Sequence, residues 1–153
     1  MDIQYFIECI VGIFKSRYLI LSFSKYNTQF TAGERQRTMV LLQEAGVSEY
    51  YASVNFAWND MLGKDAIGCF YPFTPNTIYV TSSFKFDCNS EGFKKLIGPI
   101  GHELKHREQF KTFKLLYFLL SMPIIRNFTI EPSAIEVATK INKYYKIREE
   151  EWL

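Results

Sequence analysis

Apolar residues recur at helical spacing near both ends of the chain, whereas its middle contains shorter apolar runs. Residues 3–15 are mostly apolar, which predicts a first helix that is buried on more than one side. The next stretch, RYLILSFSKY at 17–26, fits either a continuation of this helix or a strand. Thr31 followed three residues later by Glu34 is typical of a capping box, so AGERQRTMVLLQEAG predicts a helix that stops at Gly46.

Residues 47–90 have the pattern of short strands. β-Branched and aromatic runs such as GCFYPF and TIYVTSSF are separated by TPN, which is a turn signal. We expect these runs to form a small, mostly antiparallel sheet between residues 50 and 86. TIYVTSSF is either an edge strand, along which an extended peptide would lie, or an ordinary interior strand.

The last third of the chain returns to helical spacing. Ser90 opens a helical stretch, and Pro99 marks either a kink or the true first turn of the helix that follows. Further helices are expected around 113–121 and 132–146. The pattern as a whole predicts an α+β fold, with a small sheet packed on the helix of residues 100–110 and additional helices around it.

Length and composition fit a single domain over residues 1–153. The chain is 48% hydrophobic and 17% aromatic, which predicts a well-packed core. Its net charge of +2 is nearly balanced, and lysines and arginines do not gather into one block. The charge pattern therefore argues against a nucleic-acid partner.

The cysteines and the apolar segments indicate the cellular compartment in which the protein is made. Cys9, Cys69 and Cys88 are odd in number and lack the Cys-x-x-Cys spacing, so they indicate free thiols and synthesis in the reducing cytoplasm. A disulfide between Cys69 and Cys88 is the alternative. The N-terminal apolar stretch is interrupted by charges, and LLYFLLSMPII at 115–125 is shorter than the roughly 20 residues of a membrane span. We expect no transmembrane span, and peripheral membrane contact remains open.

The chain has two histidines, and they lie four residues apart in the sequence HELKH. At this spacing on a helix, His102 and His106 leave the same face, one above the other. Two neutral imidazoles so placed can share a zinc ion, while Glu103 between them can reach a water bound to that ion. The opposite face of this helix carries the apolar residues Ile97, Ile100 and Leu104.

A third zinc ligand must come from elsewhere, and FTIEPSAIEVATKINKYY offers Glu131 and Glu136. Pro132 fits the first turn of a helix that begins here. Glu136 shares its face of that helix with Lys140 and Lys143, which is typical of a solvated surface. Glu131 instead shares its face with small and apolar residues, namely Ala134, Ala138, Ile141 and Tyr145. We therefore prefer Glu131 as the ligand, with Glu136 as the alternative.

These residues resemble a known group of proteins. HELKH followed by Glu131-x-x-Ala134 is similar to the gluzincin branch of zinc metallopeptidases. HELKHREQF, FKLLYFLLS and IEPSA together resemble small HExxHxxQ zincin-like proteins of bacteria and phages, over roughly residues 75–140. The resemblance implies a minimal zincin-like domain. Two positions depart from it: Ser133 replaces a second glutamate, and Ile135 stands where many gluzincins have an aspartate that supports a ligand histidine.

Zinc held by His102, His106 and Glu131 would keep a fourth position for water, as in a catalytic site. Zinc lowers the pKa of such a water toward about 7, so Glu103 can take its proton and pass it to the leaving amine. Gln109, one turn beyond the second histidine, can hydrogen-bond near the site or cap local backbone. The candidates for an additional donor to the scissile carbonyl are Tyr117, Arg126, Tyr144 and Tyr145.

The sequence therefore predicts a zinc-dependent metallopeptidase that acts on a peptide or protein substrate. The intact Glu103 favours this hypothesis, because a structural metal site needs ligands but no general base. The alternative is a zincin-like structural or interaction module, for example a phage virion component, with little or no activity. A short chain without a separate substrate domain favours that alternative.

Overall fold

The structure is a computed structural model, and it describes residues 3–4, 24–47, 53–62 and 66–148. Most of the helix predicted over 3–15 and most of the ambiguous stretch at 17–26 lie outside these residues. Within them, residues 3 and 4 are helical, and Ser24–Tyr26 form a 3₁₀ turn.

Helix α1, Ala32–Glu44, begins with the predicted capping box. The Thr31 hydroxyl accepts from the Glu34 backbone N–H at 3.1 Å, and the Thr31 N–H donates to the Glu34 carboxylate at 2.9 Å. The other oxygen of this carboxylate accepts from the Trp58 indole N–H at 3.1 Å, which ties the start of the helix to the sheet. Gly46, with φ 77°, follows the end of the helix as its stop signal predicted.

Four strands form one mixed sheet in the order β1–β2–β4–β3. Their bounds are Asn27–Gln29 for β1, Asn55–Asn59 for β2, Gly68–Phe70 for β3 and Thr77–Thr81 for β4. The two outer pairings are antiparallel, and the central pairing of β2 with β4 is parallel. The predicted α+β class is confirmed, whereas β1 lies outside the range expected for the sheet.

The sheet also decides between the two interpretations of TIYVTSSF. Strand β4 has a neighbour on both sides, so it is an interior strand, and β3 is the edge strand on that side of the sheet. Cys69 in β3 is buried and Cys88 is half-buried, and no disulfide joins them, so the alternative of a bond between these two cysteines is wrong.

Helix α2, Ile97–Phe113, carries the HELKH motif. It continues from a 3₁₀ helix, Glu91–Leu96, that follows Ser90, and Pro99 lies in its first turn. The apolar face is buried as predicted, since three of its side chains are fully inaccessible: Ile97, Ile100 and Leu104. These side chains belong to the core cluster that also contains Phe56, Trp58, Ile78 and Val80 from the sheet.

The apolar block at 115–125 is divided between a short helix and a turn. Helix α3, Leu115–Leu120, has only six residues, and a 3₁₀ turn follows at Ile125–Asn127. In the described part of the chain, no helix combines the length and the hydropathy that a membrane crossing requires.

Helix α4, Glu131–Tyr144, packs closely along α2. Two glycines of α2 make this approach possible. A Cβ added at Gly98 would lie 2.2 Å from Asn142 Oδ1, and one added at Gly101 would lie 2.3 Å from Ile141 Cδ1. A larger residue at either position would have to displace the side chain of Asn142 or Ile141, or else push α4, and Glu131 with it, away from α2.

Replacing Gly98 with alanine should therefore destabilise the fold by about 1–3 kcal/mol, because overpacking at the helix crossing outweighs the gain in helix propensity. Gly33 provides a matched control, since it is also the second residue of its helix, and an added Cβ would meet nothing closer than Thr31 Oγ1 at 3.9 Å. Denaturant unfolding should show Gly33→Ala at or above wild-type stability. Equal stability of the two variants would contradict the close crossing.

Candidate metal centre

The two histidines of α2 face each other across one helical turn. The Nε2 atoms of His102 and His106 lie 3.1 Å apart, and the ring centroids lie 4.7 Å apart. His106 is 4% exposed, whereas the side chain of His102 is 20% exposed. The site is therefore open to solvent on the side of His102.

Glu131, the first residue of α4, completes the group. Its Oε1 lies 2.9 Å from Nε2 of His106, and its Oε2 lies 3.3 Å from Nε2 of His102. Glu136, the alternative ligand, is exposed on the face of α4 away from the core. Of the two glutamates considered from sequence, the structure brings Glu131 to the histidines.

The spacing of these atoms fits a tetrahedral metal ion. Two ligand atoms at the usual zinc distance of about 2.0–2.2 Å and near the tetrahedral angle are about 3.3–3.6 Å apart. The three nitrogen–nitrogen and nitrogen–oxygen separations span 2.9 to 3.3 Å. His102, His106 and Glu131 can thus hold a metal ion with only a small outward adjustment.

Gln109 fixes the orientation of His106. Its side-chain N–H groups donate to the Ile130 carbonyl at 2.9 Å and to the Ser133 hydroxyl at 2.8 Å. Because that carbonyl can only accept, the Gln109 amide oxygen must be the atom that lies 2.9 Å from Nδ1 of His106. It therefore accepts the Nδ1 proton, which leaves Nε2 of the neutral ring with a lone pair for a metal.

This contact supplies the support for a ligand histidine that the sequence left unidentified. Ile135, at the position of the expected aspartate, is 52% exposed and supports neither histidine. Ser133, the other departure from the gluzincin-like pattern, takes part through its hydrogen bond with Gln109. The i, i+3 spacing of His106 and Gln109 indicated the contact between these two side chains, but nothing in the local sequence indicated the contacts of Gln109 with Ile130 and Ser133.

Replacing Gln109 with leucine should weaken zinc binding about 10- to 100-fold, because His106 loses the acceptor that selects its tautomer. Gln109→Glu should retain more affinity than Gln109→Leu, since a carboxylate still accepts the Nδ1 proton although it cannot donate to Ile130. Competition titrations against a fluorescent zinc chelator would measure both constants. Equal losses in the two variants would show that Gln109 acts only by joining α2 to the start of α4.

Charges around Glu131 keep it ionised. Burial acts to raise its pKa, but hydrogen bonds from both histidines and from Arg126 outweigh burial and hold the pKa well below its usual range. The Arg126 guanidinium contacts the same carboxylate oxygen that approaches His106. For His106, burial acts to lower the pKa, and the hydrogen bond with Glu131 and the nearby Glu103 charge outweigh it, so the pKa is raised.

Glu103 lies beside this group without joining it. Its Oε2 accepts a hydrogen bond from the backbone N–H of Phe70 at 2.9 Å, and its Oε1 lies 4.0 Å from Nε2 of His102. Edge strand β3 thus holds the carboxylate at the side of the site. Sequence reasoning missed Phe70 because its contribution is a backbone N–H, which no side-chain pattern reports.

Of the four candidate donors to the scissile carbonyl, two lie beside the metal-binding group and two lie far from it. Tyr117 and Arg126 line a cavity together with Glu103 and His106. Tyr145 donates its hydroxyl proton to the Leu41 carbonyl at 2.6 Å, remote from the site, and its neighbour Tyr144 is 55% exposed at the far end of α4. Burial, followed by the charge of Glu103, raises the pKa of Tyr117, so its hydroxyl remains a proton donor at neutral pH.

No protein-family model, no curated protein and no solved structure matches this chain. Its function is therefore inferred from the residues and the geometry of the site alone. The deciding features are an acidic side chain next to three converging metal-binding atoms, and a cavity beside them.

Proposed function

We propose that this protein is a zinc-dependent peptidase with Glu103 as its general base. The observation that supports this most directly is the position of Glu103, which is next to His102, His106 and Glu131 but is not one of the converging groups. A structural metal site needs no such carboxylate. Two imidazoles and one carboxylate are a typical zinc-binding set of catalytic sites, in which a fourth position stays open.

Zinc bound there would act as a Lewis acid that polarises a carbonyl and makes a water more acidic. Glu103 accepts the proton of that water and later delivers it to the leaving amine. The N–H of Phe70 occupies one of its oxygens, so the other oxygen, which faces His102, is the one that takes part. Gln109 and Arg126 hold the ligand side chains in place during this transfer.

Tyr117 is the better placed donor for the negative charge that develops on the carbonyl oxygen. It lines the cavity beside Glu103, and its ring centroid lies 6.5 Å from that of His106. Arg126 already binds Glu131, so its charge is shared with a carboxylate of the metal-binding group. The Tyr117 hydroxyl is a neutral donor, and its hydrogen bond to the carbonyl oxygen would strengthen as negative charge develops on that oxygen.

Strand β3 offers a backbone edge for an extended peptide. The Thr81 N–H donates to the Ile67 carbonyl at 2.8 Å, so in this antiparallel pair the peptide groups of Gly68 and Phe70 face away from β4. The Phe70 N–H already donates to Glu103, so among the described residues Gly68 is the one whose outward backbone groups remain for a peptide, and it lies beside the general base. An added peptide strand would therefore pass close to the reacting groups.

Metal content and peptide hydrolysis together test this function. The protein purified without added zinc should contain, or take up on titration, one zinc ion per chain. It should cleave peptides from a defined mixture, lose that activity with a chelator and regain it with zinc. A protein that binds no zinc under these conditions would disprove the proposal.

A second candidate is a structural or interaction module that uses the same ligands to hold a structural metal. It is favoured by large apolar side chains that stand exposed near α3, namely Leu115, Ile124 and Phe128 at 83%, 70% and 83% exposure. Such side chains are typical of surfaces that bind a partner. This candidate predicts bound zinc without hydrolysis.

A further inference from the structure

A cavity of about 180 Å³ opens beside Glu103 and His106. It lies between edge strand β3 with the turn that follows it, helix α2 and helix α3, and Arg126 and Ile130 from the segment before α4 complete its lining. Most of its wall is aromatic or apolar: Phe70, Tyr71, Pro72, Tyr117, Phe118 and Ile130. The proposed reaction uses only the side of the cavity next to Glu103 and His106, so the remaining volume can hold part of a ligand.

The size of the cavity suits one aromatic ring. A protein cavity of about 150 Å³ with an apolar lining is large enough to bind benzene. The space here is slightly larger, at about 180 Å³, and Glu103 lines part of it. The side chain of alanine would leave most of this volume unfilled.

The walls are held in place by contacts between rings. Tyr117 lies 6.0 Å from Phe70 and 5.7 Å from Phe110, both in edge-to-face geometry. Phe118 contacts the exposed Phe73 at 5.6 Å, which places a further ring beside the turn that lines the cavity. Packed rings of this kind present ring faces and edges to an entering aromatic group.

Charge at the cavity is confined to its side nearest the metal-binding group. Among the described residues that line it, the acidic and basic side chains are Glu103, His106 and Arg126, and all three take part in the site itself. The aromatic part of this described lining contains no acidic or basic side chain. A charged side chain placed there would lose its hydration without gaining an opposite charge, which disfavours acidic and basic residues.

We propose that this cavity is a specificity pocket that takes a phenylalanine-sized aromatic side chain. That side chain would belong to a peptide residue adjoining the bond that Glu103 acts on. That this residue adjoins a cleaved bond depends on the proposed peptidase function, whereas the preference for an aromatic ring depends on the cavity alone. The outward-facing backbone groups of Gly68 in β3 would align the backbone of the same peptide.

Two small probes test the pocket without relying on metal or on catalysis. N-acetyl-phenylalanine amide and N-acetyl-alanine amide differ by one phenyl ring, and NMR titration of each into the protein gives the two dissociation constants. Burial of the ring should make the phenylalanine probe bind about 10- to 100-fold more tightly. A ratio near one would overturn the proposal.

Ser121 allows the cavity to be filled. It lines the space, and its hydroxyl donates to the local Phe118 carbonyl at 3.0 Å. Ser121→Leu should reduce the preference for the phenylalanine probe to near one. Ser83→Leu is the matched control, because Ser83 is exposed and does not line the cavity. An unchanged preference in Ser121→Leu would overturn the proposal.

A second variant, Phe118→Ala, removes one wall and should lower the preference at least severalfold even if Ser121→Leu folds poorly. Peptides that differ only in Phe or Ala beside the cleaved bond separate this proposal from the peptidase function. Cleavage with no preference would overturn the pocket and leave the function standing. Selective binding of the probes without cleavage of either peptide would support the pocket and disprove the peptidase.

Discussion

Replacing Glu131 with glutamine should lower the affinity for zinc on the order of a thousandfold, because an anionic ligand becomes a neutral amide. Glutamine keeps the size of the side chain, so α4 should still pack on α2. Its amide N–H group would place a donor near two ring nitrogens that must offer lone pairs to the metal. Arg126 would lose its anionic partner in the same substitution.

Glu136→Gln is the matched control, because it makes the same chemical change on the same helix at an exposed position. Its zinc affinity should equal that of the wild type. Isothermal titration with zinc would measure both constants, and circular dichroism would show that both variants remain folded. A small loss for Glu131→Gln together with a large loss for Glu136→Gln would show that the wrong glutamate has been chosen.

The parts of the site that the sequence predicted are those encoded locally. The shared face of His102 and His106 follows from their spacing alone, and the apolar stripe behind them follows from the helical period. Glu131 was preferred over Glu136 because it shares its face with small and apolar residues, and that face is the one buried against α2. In each instance a single helix contains all the information.

The parts that were not predicted depend on contacts between distant segments. Strand β1 has only three residues, NTQ, which are polar and carry no strand pattern, and it forms because β2 pairs with it. TIYVT has the same pattern whether it lies at an edge or inside a sheet, since only the pairing with β3 decides this. The support of His106 by Gln109 also depends on where the start of α4 lies, because Ile130 and Ser133 hold the amide.

The close crossing of α2 and α4 connects the fold to the site. Gly98 and Gly101 let α4 approach, and Ala134 of α4 is fully buried in the structure. The carboxylate at the start of α4 consequently reaches both imidazoles within 3.3 Å. Gly98 and Gly101 therefore help to position Glu131 in the candidate metal centre, although neither belongs to its converging group.

Replacing Glu103 with glutamine should separate metal binding from catalysis. Its position in the helix is rotated about 100° from that of His102, and its carboxylate lies beside the metal-binding group, so zinc affinity should be nearly retained. The amide oxygen of the substituted side chain can still accept the hydrogen bond from the Phe70 N–H, which preserves the local structure. The side chain loses its basicity, so peptide hydrolysis should fall by on the order of a hundredfold or more.

Glu108→Gln is the control for this change, because Glu108 lies on the same helix and its carboxylate pairs with Lys105 at 2.7 Å, outside the metal-binding group. Zinc titrations and peptidase assays on the wild type and both variants give the comparison. Equal hydrolysis in the wild type and Glu103→Gln would mean that another group activates the water, or that the activity is a contaminant. If all three proteins bind zinc and none of them hydrolyses peptides, the chain is instead a structural or interaction module. The carboxylate of Glu103 would then serve only to hold β3 against α2.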